Sequence, residues 1–557
     1  MDRTELVERY RRADLDCAKV DYRLRGAKMY ERETLAPTRE NRRALEAQLS
    51  AARAQVAALD APEPAFALMK RHFGDFLDAA EVLLANSFSK PAAAIAKLTR
   101  RLENLAGVDT REDAEKAEIL GAQLDGLDEL LDGVRQCAQS AKEADTAALA
   151  AECAEVAGNY RHYAENVGQY FPSLSEKEGA ALAKRLLSVC EKLDAWKAVR
   201  SGEGASADDE ERSVPFSEAY YRGVLAGQLG VELDELLSWH RTEMERTRAE
   251  VFEIAGRLPI AAQPRTMQEV SEVLARYAGP CDSPDEMFRR TRGYLERARA
   301  AAREYVWFPE EACRLERVPY PIRQSFPWGG YSDGDGRLRP ITGTAFLNDG
   351  NFRAISDGWL KMQAVHEAYP GHHIQYVRNV TDSLPETVKL GAKHIPLIEG
   401  VAHRSERLFE FVFPEDPFYP LFVAFRRHHT AVRIRSDLML RLEGRPIREC
   451  VQLYMDELGF DHGTARGQVR AQEQMEGYFT CYYYGMKRIA DLEVKSGMDS
   501  KAFTEQLFSC GNVSMENLEG YLKLDAKQRA SYLNDFPSPL MDPAEAARWA
   551  KMRAEKR

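Results

Sequence analysis

The stretch HEAYPGHH, residues 366–373, contains three histidines and one glutamate within eight residues. On a regular helix, histidines at positions i and i+4 face the same side and can bind one metal ion. Here the i+4 position is Pro370, which cannot be a ligand and which crowds the carbonyl group one turn earlier. We therefore expect the helix to be deformed at Pro370 and Gly371, so that a later histidine reaches the metal.

This motif offers two metal ligands and a general base. His366 is the candidate first ligand, and Glu367 can deprotonate a metal-activated water. The second ligand is His372 or His373. Treating 370–371 as an insertion restores the spacing H-E-x-x-H with His372 as its last residue. On an undistorted helix, His373 would lie about 10.5 Å further along the axis than His366, and proline disfavours that geometry, so the sequence favours His372 over the alternative His373.

A zinc hydrolase also needs a third ligand and a hydrogen-bond donor for the oxyanion. Glu399 lies 27 residues after His372 in a predicted helix and is the third ligand we expect. His403 or Glu406, one and two turns later, could orient one of the ligands. The tyrosine run 482–484 offers phenols as donors, although such a run more often packs in a core with its hydroxyl groups satisfied.

The composition limits the class of protein and of partner. The chain has 557 residues, of which 44% are hydrophobic and 30% charged, as in ordinary globular proteins with two or more structural units. Its net charge of −11 argues against a nucleic-acid or membrane partner, since both require a basic surface. No long apolar run or signal sequence is visible, and the nine cysteines lack C-x-x-C spacing. We therefore expect a cytoplasmic protein.

The pattern of apolar residues predicts a mainly α-helical protein in three segments. Residues 1–200 show apolar residues at helical spacing and many good helix formers, which indicates an N-terminal helical region. Residues 201–213 are polar and acidic, as expected of a linker or loop, and 214–557 would form a helical catalytic region. Proline, glycine and aromatic residues crowd into 317–352, where we expect a small β or irregular insert near the active site, with its clearest strand at 342–347.

Four motifs follow one another along the second half of the chain. HEAYPGHHIQ at 366–375 has the pattern H-E-x-x-P-G-H followed by His and, two residues later, Gln. Residues 399–406 match the motif E-G-W-A-x-x-x-E at each fixed position except the third, where Val401 stands in place of Trp. Residues 433–441 fit R-x-x-x-D followed by a later His, except that Arg441 stands at the His position.

The fourth motif, P-G-Q-A-x-x-Y-x-x-G, is kept only in part at 476–485, where Glu476 replaces the proline. In their order these motifs resemble the bacterial family catalogued as domain of unknown function 885, over about residues 215–530. That family is similar to gluzincin metallopeptidases. The resemblance implies one zinc ion, Glu367 as the base, Tyr482 as the phenol that stabilises the transition state, and three zinc ligands: His366, His372 and Glu399.

Together the residues and the resemblance predict a zinc-dependent, metallopeptidase-like hydrolase that cleaves amide bonds of short peptides. Two alternatives stay open: a metal-dependent hydrolase or lyase of a small amide-containing metabolite, and a non-catalytic helical interaction protein. Arg433 could bind a substrate carboxylate or form an internal salt bridge with Asp437, four residues later. The expected partner is a short peptide or small amide, with no nucleic acid and no membrane; the sequence leaves the physiological substrate, the exo or endo mode and the oligomeric state open.

Overall fold

The structure is a computed structural model that describes residues 2–139, 143–197, 209–214, 217–319, 323 and 327–555. The chain divides into two compact units. The first comprises Met1–Asp60, Phe76–Ser206 and Gly334–Leu338, and the second comprises Ala61–Asp75, Ala207–Asp333 and Arg339–Arg557. The linker expected at 201–213 stays a prediction, since 201–208 lie outside the described residues.

The first unit is built from helices, as the sequence of residues 1–200 predicts. One helix, α3, has its first residues in the second unit. Leucine, alanine and valine side chains from several of these helices form a buried core, for example Leu98, Leu120, Val156 and Leu186. The helices are α1 (Arg3–Arg25), α2 (Arg39–Ala57), α3 (Pro64–Ser89), α4 (Pro91–Glu103), α5 (Asp113–Asp125), α6 (Leu127–Gln139), α7 (Glu143–Glu165), α8 (Val167–Tyr170) and α9 (Glu176–Lys197).

The second unit is also mainly helical. Several of its helices begin at a side chain that accepts a hydrogen bond from the first turn, as at Ser356, Asp461 and Ser514. The helices are α10 (Glu218–Val224), α11 (Leu233–Ala255), α12 (Met267–Tyr277), α13 (Pro284–Ala302), α14 (Asp357–Gln363), α15 (His372–Thr381), α16 (Glu386–Leu390), α17 (Ile395–Leu408), α18 (Tyr419–Arg441), α19 (Ile447–Leu458), α20 (His462–Gln474), α21 (Cys481–Ser496), α22 (Ser500–Ser509), α23 (Met515–Leu522), α24 (Ala526–Asn534) and α25 (Pro543–Glu555).

A small sheet interrupts the helices of the second unit, which confirms the predicted β insert. Its strands are β1 (Glu311–Arg317), β2 (Gly329–Ser332) and β3 (Ile341–Leu347), in the order β1-β3-β2. Strand β1 runs parallel to β3, and β2 runs antiparallel to it. The strand predicted at 342–347 is thus the central one, and α15 packs against it.

Helices α17 and α21 cross with their backbones in close contact. A side chain at Gly400 would place its Cβ 2.5 Å from the backbone of Gly485, and one at Gly485 would reach within 1.7 Å of the Pro396 carbonyl oxygen. Only glycine permits this approach, which brings Glu399 on α17 close to the tyrosines near the start of α21. In the part of the chain that the structure describes, no helix has both the length and the apolar character needed to cross a membrane.

Candidate metal centre

The chain bends sharply within the histidine motif. Helix α14 widens into one π-helical turn, Ala364–Ala368, which carries His366 and Glu367, and α15 begins only at His372. Between the two helices Gly371 lies against the preceding turn, where an added Cβ would be 1.8 Å from the His366 carbonyl oxygen. The expected deformation at 370–371 is therefore present, and the ring centroids of His366 and His372 are 4.9 Å apart.

His366, His372 and Glu399 come together at this bend. The Nε2 atoms of the two histidines lie 3.5 and 3.6 Å from Oε2 of Glu399, and the candidate ligand atoms all lie within 4.8 Å of one another. Oε2 is buried and has no hydrogen-bond partner among the residues that the structure describes. Two imidazole nitrogens around an unsatisfied carboxylate oxygen are a donor set that fits a divalent cation such as zinc.

His373, the alternative second ligand, contacts residues of the sheet instead of the other candidate ligands. Its Nε2 atom is 2.7 Å from Oε2 of Glu311, and its Nδ1 atom is 3.0 Å from the hydroxyl group of Tyr331. The side chain is 0% exposed. The bend thus places His372 beside His366, while His373 joins α15 to the sheet.

A buried chain of polar groups holds the far side of the His366 ring. Its Nδ1 atom lies 2.7 Å from Oε1 of Glu406, whose Oε2 lies 3.0 Å from Nδ1 of His403. His403 in turn reaches Oγ1 of Thr430 at 2.8 Å. The sequence offered His403 or Glu406 as an orienting residue; the structure joins both in one chain, with Glu406 in contact with the candidate ligand.

The charges of these groups depend on one another. Burial opposes ionisation of His366, but the carboxylates of Glu399 and Glu406 outweigh it and raise its pKa to about 10. Burial likewise opposes ionisation of Glu399, yet His366 and His372 hold its pKa well below the usual range. Without a cation, a protonated His366 therefore helps to balance the carboxylates, and a bound cation would release that proton.

Glu367, the candidate base, lies on the same turn as His366 and is half-buried. Burial lowers the pKa of His366 and His372, and the Glu367 carboxylate adds to the larger opposing effect of Glu399, which raises both pKa values. Within the described ranges no side chain makes a hydrogen bond or ion pair with it. Its carboxylate oxygens are thus free to accept a hydrogen bond from a water molecule.

The tyrosines near α21 divide into two groups. The ring of Tyr482 stacks on His366 with centroids 6.1 Å apart and an angle of 16° between the planes. Tyr478, which the sequence analysis missed, donates a hydrogen bond to Oε1 of Glu399; its position four residues before Tyr482 is the signal that could have found it. Tyr483 and Tyr484 bond to glutamates of α11 and pack in the core.

The internal salt bridge considered for Arg433 does not form, so that alternative was wrong. Asp437 instead accepts a hydrogen bond from the Tyr221 hydroxyl group at 2.5 Å, and Arg433 donates to Oε1 of Gln468 at 3.1 Å. The Arg433 guanidinium lies 5.5 Å from the ring centroid of Tyr482. Tertiary contacts have replaced the pairing that the four-residue spacing favoured.

Two positions that depart from the family motifs contact each other. Nη1 of Arg441 lies 3.3 Å from Oε1 of Glu476, and the Tyr220 hydroxyl group donates to Oε2 of Glu476 at 2.7 Å. The replacement of a histidine and of a proline thus creates one ion pair. Neither change touches His366, His372 or Glu399.

Comparisons with known proteins match this fold along most of the chain. The model of the family described as "Bacterial protein of unknown function (DUF885)" matches residues 21–522. Among curated proteins none matches significantly. Two solved structures are similar. One is a "putative lipoprotein" from Colwellia psychrerythraea, with a TM-score of 0.74, 17% identity and coverage of 95% of this chain and 99% of that chain. The other is a "putative lipoprotein of unknown function" from Shewanella oneidensis, with a TM-score of 0.70, 15% identity and coverage of 92% of this chain and 98% of that chain. At these identities the likeness shows the fold alone.

Proposed function

We propose that this chain, which belongs to the DUF885 family of bacterial proteins of unknown function, is a zinc-dependent, metallopeptidase-like hydrolase of short peptides. The observation that carries the proposal is the buried Oε2 atom of Glu399, which faces His366 and His372 and accepts no hydrogen bond from any described residue. Such an unsatisfied oxygen is costly unless a cation contacts it. Two imidazoles and one carboxylate also leave a position open for water or substrate, as catalytic zinc sites require.

The residues named above have distinct roles in holding the ion. His366 and His372 would bind it through Nε2 and Glu399 through Oε2. Glu406 holds His366 from the opposite ring nitrogen, and Tyr478 holds the other oxygen of Glu399. When bound, zinc supplies a Lewis acid that polarises the peptide carbonyl group and acidifies water.

Glu367 would carry the proton during hydrolysis. Its carboxylate accepts a proton from the attacking water, whose oxygen bonds to the carbonyl carbon. The same carboxyl group then donates that proton to the leaving amine nitrogen as the amide C–N bond breaks. The absence of a competing hydrogen bond at Glu367 in the described structure supports this role.

Tyr482 would stabilise the charge that develops on the carbonyl oxygen. A phenol that donates a hydrogen bond to this oxygen lowers the barrier if it is held in place beforehand. Stacking on His366 and contact with the Arg433 guanidinium fix the Tyr482 ring beside the candidate ligands. Burial raises the pKa of its hydroxyl group, so the phenol keeps its proton at neutral pH.

Metal analysis of the purified protein tests the proposal most directly. We expect near-stoichiometric zinc in the wild-type protein, loss of zinc in Glu399→Ala, and retention in the matched control Glu253→Ala, which changes an exposed carboxylate of α11. Zinc-loaded protein should then cleave short peptides. Cleavage of acylated amino acids alone would favour the small-metabolite hydrolase, and absence of metal in every variant would favour a non-catalytic interaction protein.

The cytoplasmic location is part of the same proposal. It is based on the thiol pattern, since the nine cysteines, all within the described residues, form no disulfide bond. The two structural neighbours are described as putative lipoproteins, which suggests a test. Cell fractionation should recover the protein with the soluble cytosolic fraction; recovery with membranes after a salt wash would contradict this location.

A further inference from the structure

Arg433 on α18 is a buried cation whose charge has no carboxylate partner in the described part of the chain. It is 6% exposed, and its side chain makes one hydrogen bond, from Nη2 to Oε1 of Gln468. A guanidinium group carries five N–H donors, so most of them are unused. Buried charges are normally paired. Asp437, its nearest carboxylate in sequence, is instead bonded to Tyr221.

Aromatic rings hold this guanidinium beside the candidate metal centre. It lies 4.8 Å from the ring centroid of Phe479 and 5.5 Å from that of Tyr482. The Tyr482 ring also stacks on the imidazole of His366, with ring centroids 6.1 Å apart. Arg433 and a candidate zinc ligand therefore contact the same aromatic ring. Gln468 and the two rings fix the direction of the guanidinium without neutralising its charge.

A second cation makes the region more positive. Arg426, two turns earlier on α18, lies 5.6 Å from the same Tyr482 ring. Its Nε atom is 3.9 Å from Glu406, which already bonds to two histidines, whereas no carboxylate of the described residues lies at ion-pair distance from Arg433. Burial and the charge of Arg426 lower the pKa of Arg433 to about 10. An incoming anion would relieve both the desolvation and the repulsion.

We infer that Arg433 binds the C-terminal carboxylate of the substrate, so that the enzyme removes residues from the C-terminal end of short peptides. This inference rests on the proposed function. A guanidinium binds a carboxylate through two parallel hydrogen bonds, which fixes the peptide as well as attracting it. An extended peptide advances about 3.5 Å per residue. Because Arg433 and His366 contact the same ring, an anchor at Arg433 places the scissile bond one or two residues before the C-terminus.

The reaction adds one water molecule across that amide bond. The carbonyl side becomes the new C-terminal carboxylate of the shortened peptide, and the amine side leaves as a free amino acid or dipeptide. That product keeps the carboxylate held by Arg433. It should therefore bind to the protein even without the ion.

Two peptides that differ only in a C-terminal carboxylate or carboxamide test the inference. Zinc-loaded wild-type protein should cleave the carboxylate form with a kcat/KM about 10- to 100-fold higher than that of the carboxamide form. This ratio is the factor that a hydrogen bond to a charged group supplies. In Arg433→Met this ratio should fall to near one. The control Arg435→Met changes the same helix at a guanidinium bound by Glu443 and should keep the ratio.

Binding of the product gives a readout that does not require turnover. In calorimetry with metal-free protein, a dipeptide with a free carboxylate should bind more tightly than its amide, and Arg433→Met should remove the difference. Equal cleavage of both peptides by the wild type would overturn the inference and leave the proposed function standing. A proportional fall of both rates in Arg433→Met would assign the residue a structural role instead. Zinc-loaded protein that cleaves neither peptide would overturn the proposed function and this inference with it.

Discussion

The Nδ1 atom of His366 lies 2.7 Å from Oε1 of Glu406, which is itself 0% exposed. This contact leaves the other ring nitrogen, Nε2, to face Glu399 at 3.5 Å. A carboxylate bonded to one nitrogen of an imidazole fixes the tautomer and the ring orientation, and it makes the other nitrogen a stronger ligand. Because Glu406 also contacts His403, the orientation of His366 is set by a buried chain of groups.

Glu406→Gln should weaken zinc binding without abolishing it. The amide keeps the size of the side chain but loses the charge that supports His366, so we expect an affinity about 10- to 100-fold lower. Competition with a chromophoric chelator measures this, with Glu253→Gln, at an exposed side chain of α11, as the control. An unchanged zinc affinity would show that Glu406 serves packing alone.

Glu367→Gln should separate metal binding from turnover. The amide cannot accept a proton from water, and loss of a general base typically lowers the rate by about 10²- to 10⁴-fold. Glu367 is not among the three grouped ligands, so zinc content should stay at the wild-type level. Peptide hydrolysis and metal analysis on the same preparation check both points. A variant that still turns over peptide at the wild-type rate rules Glu367 out as the base.

Two tyrosines one turn apart should give different defects. Tyr482→Phe removes the donor proposed for the oxyanion, so kcat should fall about 10²- to 10³-fold with little change in zinc affinity. Tyr478→Phe removes the hydrogen bond to Glu399, so zinc affinity should fall first. Kinetics at saturating zinc and chelator competition distinguish the two. The opposite pattern would exchange the roles assigned here.

The histidine motif shows how far local chemistry predicts this site. Pro370 occupies the i+4 position at which a regular helix would carry the second histidine, so the helix has to bend there if the motif binds a metal. The bend that brings His372 to His366 is the one expected. Glu399 could be placed in a following helix by its motif, and it lies at the bend. The mainly helical fold and the strand at 342–347 could also be predicted, because both depend on the periodicity of apolar residues.

Contacts between distant segments could not be predicted in the same way. The spacing of Arg433 and Asp437 favoured a salt bridge, but Tyr221, 216 positions away, donates a hydrogen bond to the Asp437 carboxylate instead. Arg441 and Glu476 look like separate departures from the motifs until the fold brings them together. Such pairings depend on how helices pack, which one sequence read locally does not determine.

Gly371→Ala should damage both the site and the fold. An added Cβ would lie 1.8 Å from the His366 carbonyl oxygen, so the backbone of the bend must move and the two histidines must separate. We expect a lower thermal midpoint and loss of zinc. Gly467→Ala is the control, because Gly467 is an exposed residue within α20 with nothing within 4 Å of an added Cβ, and the change should stabilise the helix by about 0.5–1 kcal/mol. Zinc retained at full occupancy in Gly371→Ala would contradict the proposed bend.

Asp437→Asn should stabilise the fold at neutral and alkaline pH. Burial raises the pKa of Asp437 from 3.8 to about 6, so between these values the folded protein binds more protons than the unfolded chain, and its stability falls as pH rises. Above pH 6 the ionised carboxylate costs at most about 3 kcal/mol. Asparagine carries no charge and can still accept the Tyr221 hydrogen bond. Thermal unfolding with a chelator present should show a higher midpoint for the variant at about pH 8 and a small difference at about pH 4; equal midpoints at the higher pH would contradict the raised pKa.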